Sequence, residues 1–183
     1  CDGGSTKTEW LLVDHTGQVL AHRIFPGCNF AFWGEDGFRD LMVRSVQTLL
    51  ADSGITSQQI TSAMLSLTVY GEVPGTEEFF PQVMQSILPD CPLQFSNDSV
   101  AGWCGSLAGR PGINIVAGTG SVAYGQDSAG NASRVGGWSL FFADEGSCSW
   151  VARQMITEFV KQADGRHPRS AIYEELRQEL SIT

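Results

Sequence analysis

Several kinds of protein are excluded by what this sequence lacks. It has no apolar run approaching the ~18 residues of a membrane span and no basic-then-apolar N-terminal signal, so we expect a cytoplasmic protein. Lys and Arg together number 11 against 20 Asp and Glu, and the resulting net charge of −9 argues against nucleic-acid binding. We therefore expect neither a nucleic acid nor a membrane as a partner.

Cysteine is also used sparingly, and no two cysteines form a CxxC pair. An odd number of widely spaced cysteines is typical of reduced thiols and does not fit a disulfide framework or a zinc site. We therefore expect no metal held by cysteine. The five residues are Cys1, Cys28, Cys91, Cys104 and Cys148.

Apolar periodicity and turn residues predict strands that alternate with helices after an initial hairpin, with no internal repeat. This order predicts an α/β fold with a mixed sheet. Predicted strands cover 9–13, 18–25, 63–69, 93–96 and 113–117, with a second hairpin around 128–131. Predicted helices cover 38–50 with a cap at Gly54, 77–88, 98–107, 147–162 and 170–180.

Two glycine-rich turns carry the first chemical signal. Asp2–Thr6 and Gly118–Ser121 resemble neither a P-loop nor a GxGxxG motif, and each alone is more often a plain turn. Together, with Asp2 and Lys7 beside the first, they favour phosphate binding, because glycine lets backbone N–H groups approach an anion. In so acidic a chain, phosphate binding would need such N–H groups, a placed cation and a divalent metal.

Asp98 is the candidate for proton transfer. It lies where a predicted strand ends and a helix begins, which is a frequent position for site residues in α/β proteins. It could cap the helix, or act as a general base toward a hydroxyl group. Histidine is a poorer candidate, since His15, His22 and His167 do not adjoin a glycine motif.

A third cluster follows the second hairpin. Gly136-Gly137-Trp138 precedes Ala143-Asp144-Glu145-Gly146-Ser147. The segment could be a strand end followed by a helix cap, with Trp138 in the core. Alternatively, Trp138 could stack on a sugar ring while Asp144 accepts hydrogen bonds from sugar hydroxyls.

The segments DGGSTKTEWLL, NDSVAGW, GTGSVAYG and GGWSLFFADEGS, in this order, resemble the N-acetylglucosamine kinase and BadF-type ATPase family. The resemblance extends from residue 2 to about 152, and GGW followed by DEGS is its most specific part. It implies a ribonuclease H-like mixed sheet flanked by helices, in the N-terminal half of an actin-like two-domain kinase. We expect one domain over 1–125, whose first strand is missing, and the incomplete start of a second over 126–183.

The resemblance also implies an activity, which is magnesium-dependent transfer of phosphate from ATP to the 6-hydroxyl of N-acetylglucosamine or a related aminosugar. Asp98 would be the catalytic base and Asp2 would bind magnesium. The ATP phosphates would contact Gly3, Gly4, Ser5, Thr6, Lys7, Gly118, Thr119 and Gly120. The sugar would contact Asn29, Asp98, Ser121, Val122, Gly137, Trp138, Ser139 and Asp144. We expect aminosugar and ATP as the ligands of a homodimer.

Two departures from the family pattern leave the identity of the sugar open. Val122 stands where an Asn can follow GTGS, and Ala143 stands where the family has Gly before DEGS. A glucosamine or N-acetylmuramic acid kinase is therefore an alternative. A dehydratase-activating ATPase would need cysteines beside the glycine motif, which here has Ala117 and Val122. A sugar sensor without catalysis would not need Asp98.

Overall fold

The computed structural model describes residues 1–28, 30–138 and 141–181, and it forms two units, Cys1–Gly109 and Arg110–Thr183. The predicted domain boundary at 125/126 lies inside a strand of the second unit. That boundary, and the expectation of a missing first strand, stay predictions about the longer fold.

The first unit is built on a five-stranded mixed sheet. Its strands are β1 (Asp2–Gly3), β2 (Lys7–Val13), β3 (Val19–Pro26), β4 (Ala63–Leu67) and β5 (Leu93–Ser96), in the order β3-β2-β1-β4-β5. β1 pairs antiparallel with β2 and parallel with β4, so it lies at the centre. Because β1, β4 and β5 are parallel, their carboxyl ends meet at one edge of the sheet.

Three helices accompany this sheet: α1 (Phe30–Ser53), α2 (Thr76–Ile87) and α3 (Asp98–Leu107). The sequence predicted α1 only from Phe38, where the apolar periodicity becomes regular. In the structure the helix begins earlier and is interrupted at Gly34, whose φ of 66° and ψ of −170° are not helical. Gly54 follows the helix with φ of 69° and donates its N–H to Leu50 O, which confirms the predicted cap.

The core of the first unit lies between one face of the sheet and α1 and α2. Alternate side chains of β2 and β4 point into it, as the two-residue period of a strand requires. Phe38 of α1 stacks on Phe80 of α2 with ring centroids 4.1 Å apart, and both side chains are buried. This aromatic pair joins the two helices at the centre of the core.

The second unit contains a three-stranded antiparallel sheet and two helices. The strands are β6 (Gly112–Ala117), β7 (Ser121–Gln126) and β8 (Ala132–Gly136), and the helices are α4 (Cys148–Ala163) and α5 (Ala171–Glu179). Phe159 and Tyr173 stack at 5.1 Å between the helices. On the sheet, Ile113 and Ile115 are each 71% exposed.

The predicted fold class, α/β with a mixed sheet flanked by helices, is confirmed. The predicted strands and helices all occur, and apart from the earlier start of α1 their ends agree to within a few residues, with β5 and α3 matching the predicted bounds. Among the described residues, no helix has the length and apolar character needed to cross a membrane.

We expect Phe80→Ala to lower the free energy of unfolding by roughly 3–5 kcal/mol, the usual loss for a buried aromatic side chain. Phe32→Ala is the control, because Phe32 is 80% exposed and its loss should change stability by less than about 0.5 kcal/mol. Urea denaturation of both variants measures the difference. Equal stabilities would contradict a core centred on the Phe38–Phe80 pair.

Candidate functional site

The first glycine turn joins β1 to β2 at the carboxyl edge of the five-stranded sheet. Gly4 donates its N–H to Lys7 O at 2.9 Å, which closes the turn. Gly3 is buried, and a Cβ atom built there would lie 2.6 Å from both Cys28 Sγ and Leu67 Cδ2. Gly3 is therefore needed for packing, whereas Gly4 has space for a methyl group, with Lys7 O at 3.5 Å.

Donors from the surrounding protein hold the carbonyl oxygens of this turn. Gly27 N–H donates to Thr6 O and Cys28 N–H to Gly4 O, both at 3.1 Å. Gly3 O accepts from Thr68 N–H at 2.7 Å and from the Cys28 thiol at 3.0 Å. The turn is thus held in one conformation before any ligand binds.

The Cys28 thiol is shielded from solvent in this arrangement. Burial raises its pKa to about 11, and the negative charge of Asp98 contributes to the rise. At neutral pH the thiol is protonated, which it must be to donate to Gly3 O.

Lys7 lies beside the turn but has a partner within the same strand. Its Nζ lies 2.5 Å from Glu9 Oε2, and the hydrogen bond and charge of Glu9 raise the pKa of Lys7. Glu9 in turn contacts His22 Nε2 at 2.8 Å, and Lys7 and His22 together lower its pKa. In the structure Lys7 therefore pairs with the Glu9 carboxylate, and the contact of Lys7 with a phosphate stays a prediction.

Asp98 begins α3 at the same sheet edge, since only Asn97 separates it from the carboxyl end of β5. The capping role falls to its neighbour, because Asn97 Oδ1 accepts from Ser99 N–H at 3.1 Å and from Ser99 Oγ at 2.7 Å. The interpretation of Asp98 as the helix cap is therefore wrong. A half-buried carboxylate remains in the first turn of α3.

Asp2 is exposed on β1, next to the glycine turn. Mg²⁺ retains several waters and needs only one or two protein carboxylates when substrate phosphates supply the other ligands. The described residues contain no group of three or more His, Cys, Asp and Glu that could hold a metal by themselves. A single exposed carboxylate beside the first glycine turn would fit magnesium that binds together with a nucleotide.

The second glycine turn, Gly118–Ser121, joins β6 to β7 in the second unit. Gly118 N–H donates to Gly120 O at 2.9 Å. The start of α4 stabilises the turn by two backbone hydrogen bonds. Cys148 N–H donates to Gly118 O at 2.9 Å and Ser149 N–H donates to Thr119 O at 3.4 Å. The side chain of Ser121 donates to Glu145 O at 2.9 Å.

Asp144 lies against this second turn. It is 6% exposed, adopts a left-handed φ of 60°, and its Oδ1 has no hydrogen-bond partner among the described residues. A Cβ atom at Gly120 would lie 2.8 Å from Asp144 Oδ2. Because a buried carboxylate oxygen without a partner is costly, Asp144 is suited to accept a hydrogen bond from a ligand.

The structure gives different outcomes for the remaining residues that were predicted to contact a sugar. Trp138 is 82% exposed, so the core alternative is wrong, while stacking on a sugar stays a prediction. Gly137 has φ of 69°, which favours glycine, and Val122 is half-buried on β7. Asn29 and Ser139 lie outside the described residues.

Two residues of the first unit escaped the sequence analysis. A Cβ atom at Gly27 would lie 2.1 Å from Ser5 O, so the chain passes directly against the turn there. Val69 follows β4 with a φ of 62°, which is strained for a β-branched residue. The glycine after Pro26 was a visible signal, whereas nothing in the sequence marks Val69.

The chain is similar to known proteins over nearly its whole length. The model of the BadF/BadG/BcrA/BcrD ATPase family matches residues 1–180. The chain is 25% identical over 193 residues to the N-acetyl-D-glucosamine kinase of Dictyostelium discoideum, covering all of this chain and 60% of that protein. It is 33% identical over 76 residues to the N-acetylmuramic acid/N-acetylglucosamine kinase of Clostridium acetobutylicum, covering 42% of this chain and 25% of that protein.

Solved structures show the same fold. A protein from Chromobacterium violaceum, provisionally named as an N-acetylglucosamine kinase, superposes with a TM-score of 0.76 at 21% identity, covering 97% of this chain and 61% of that one. A similarly named protein from Porphyromonas gingivalis gives 0.74 at 23% identity, covering 100% and 61%. The chain thus spans about 60% of the length of these relatives.

The contact between Gly120 and Asp144 can be measured directly. We expect Gly120→Ala to reduce the free energy of unfolding by about 1–3 kcal/mol, because the added methyl group collides with the carboxylate. Gly118→Ala is the control, since nothing lies within 4 Å of a Cβ atom there.

The double variant Gly120→Ala/Asp144→Ala should recover most of the loss, with a coupling of about 1 kcal/mol or more in a double-mutant cycle. Denaturant titration of the four proteins gives this value. Purely additive losses would show that Gly120 and Asp144 do not contact each other.

Proposed function

The chain belongs to the BadF/BadG/BcrA/BcrD ATPase family, and we propose that it forms part of an ATP-dependent kinase for the 6-hydroxyl of N-acetylglucosamine or a related aminosugar. Kinases for these sugars are among its relatives, and it spans about 60% of the length of the Dictyostelium discoideum kinase. The proposal extends to a homodimer that works in the cytoplasm.

The observation that carries the proposal is the position of Asp98. Asp98 is the first residue of α3, at the sheet edge where the first glycine turn follows β1. The helix is capped by its neighbour Asn97. In the proposed reaction, Asp98 accepts the proton of the sugar 6-hydroxyl as its oxygen bonds to the γ-phosphorus of ATP. The bond from that phosphorus to the β,γ-bridging oxygen breaks, and ADP leaves.

The two glycine turns supply the phosphate contacts in this proposal. Phosphoryl transfer depends mainly on alignment and charge compensation, which prearranged backbone N–H groups can provide. Gly4, Ser5 and Thr6 in the first unit and Gly118, Thr119 and Gly120 in the second are the proposed contacts. Both turns are held by hydrogen bonds to their carbonyl oxygens, which directs acceptors away from the ligand.

Magnesium would be held by Asp2, through water, together with the ATP phosphates. When bound, the ion neutralises charge on the phosphate oxygens. Lys7, which pairs with Glu9 in this structure, would add a positive charge at the same turn by exchanging that partner for a phosphate.

The sugar would be bound by Asp144, with Trp138 as an apolar platform. The unpartnered Oδ1 of Asp144 supports this assignment, since a sugar hydroxyl would satisfy it. Ser121, Val122, Gly137 and the two residues outside the described part, Asn29 and Ser139, complete the proposed site. Val122 supplies an apolar contact there.

We expect Asp98→Asn to lower the kcat of the full-length protein by at least about 10²-fold, because the amide cannot accept the hydroxyl proton. The Tm should change little, since the helix cap is Asn97. Coupled ADP-release assays with ATP and a panel of aminosugars measure the rate.

The reciprocal variant is Asn97→Ala, which should cost about 1 kcal/mol of stability by removing the cap. Its kcat should fall far less than that of Asp98→Asn. An Asp98→Asn protein that phosphorylates aminosugars at nearly the wild-type rate would remove Asp98 from the mechanism.

For the sugar site, Asp144→Ala should raise the aminosugar KM by on the order of 10–100-fold, from the loss of hydrogen bonds worth roughly 1.5–3 kcal/mol. The ATP KM should hardly change. Glu145→Ala is the matched control, because Glu145 is the next residue in the chain and its side chain is exposed. An unchanged sugar KM in a folded Asp144→Ala protein would refute the assignment.

A further inference from the structure

The segment that follows β3 packs against the first glycine turn more closely than any side chain would allow. A Cβ atom at Gly27 would lie 2.1 Å from Ser5 O, 2.4 Å from Ser5 C and 2.8 Å from Thr6 N. Real Cβ atoms do not approach a backbone atom this closely. Gly27 has no left-handed φ, so the need for glycine here comes from space alone.

Hydrogen bonds join the same two segments. Gly27 N–H donates to Thr6 O, Cys28 N–H donates to Gly4 O, and the Cys28 thiol donates to Gly3 O. The donors thus come from two consecutive residues and reach carbonyl oxygens along the whole turn. These contacts restrain the turn as a unit, because the carbonyl oxygens of Gly3, Gly4 and Thr6 each accept a hydrogen bond that rotation of their own peptide would break.

Neither Gly27 nor Cys28 has a side chain suited to bind a phosphate, since one has none and the other is buried as a neutral thiol. Their contacts go to carbonyl oxygens, which repel anions. Holding those oxygens on the protein side keeps them away from a phosphate that binds the turn. Residues that act in this way position the turn, and they do not themselves contact the phosphate.

We propose that Gly27 and Cys28 are positioning residues that set the conformation of the first glycine turn for ATP. The inference rests on the proposed function and deepens it. Asn29, the predicted sugar residue, follows Cys28 directly in the chain. The positioning segment therefore packs against a proposed phosphate contact, Ser5, and directly precedes a proposed sugar contact in the sequence.

The test replaces Gly27 by Ala in the full-length protein. The added methyl group must push Ser5 and Thr6 away, and we expect the ATP KM to rise on the order of 10–100-fold, because displacements of about 1 Å cost this much at positioning sites. The aminosugar KM should change much less. Hydrogen exchange of the Gly4 amide, without nucleotide, should accelerate as its bond to Lys7 O loosens.

Gly37→Ala is the matched control, since its Cβ atom would lie 2.8 Å from Trp33 Cβ and its three nearest atoms all belong to Trp33, none to the turn. It should lower the Tm without raising the ATP KM or the Gly4 exchange rate. If Gly27→Ala does not fold, Cys28→Ala provides the milder change, and Cys28→Ser, which keeps a donor for Gly3 O, should restore part of the ATP affinity.

The two proposals fail in different ways. A wild-type protein that shows no kinase activity would refute the proposed function, yet faster Gly4 exchange in Gly27→Ala would still support the positioning role. A Gly27→Ala protein with wild-type ATP KM and wild-type Gly4 exchange would overturn it. Equal rises in ATP KM for Gly27→Ala and Gly37→Ala would also overturn it, because they would show a general loss of stability.

Discussion

The close packing of side chains against the Gly3 backbone is the constraint on which the first unit depends. β1 has only two residues, yet it pairs with β2 on one side and β4 on the other, so the whole sheet is joined through it. At Gly3, Cys28 and Leu67 fill the space that a side chain would occupy. The core can therefore approach β1 from the helix side while the turn emerges at the sheet edge.

The second unit repeats this local plan with other residues. In both units a strand, a glycine turn, a second strand, a hairpin and a third strand precede a helix. In both, backbone N–H groups from a later segment hold carbonyl oxygens of the glycine turn. The donors are Gly27 and Cys28 in the first unit and Cys148 and Ser149 in the second. The sequence shows no internal repeat, because backbone hydrogen bonds of this kind do not require particular side chains.

Two residues near the glycine turns adopt arrangements that are unfavourable for stability. Asp144 is buried with an unpartnered oxygen and a left-handed backbone, and Val69 is strained beside the first turn. Each conformation has a cost that the surrounding packing must offset. Such residues are expected where a ligand supplies the missing interaction, which is why Asp144 supports the proposed sugar site.

By itself the sequence determined the strands and helices, the glycine turns and the position of Asp98 at a strand end. These features depend on interactions between residues close in the chain, such as apolar periodicity and turn chemistry. The tertiary structure alone decided that Asn97 rather than Asp98 caps α3, that Lys7 pairs with Glu9, and that Gly27 packs on Ser5. The physical reason is that choices between equivalent neighbours, and contacts between distant segments, depend on strand register and side-chain direction. Both are settled only when the sheet and its helices pack together.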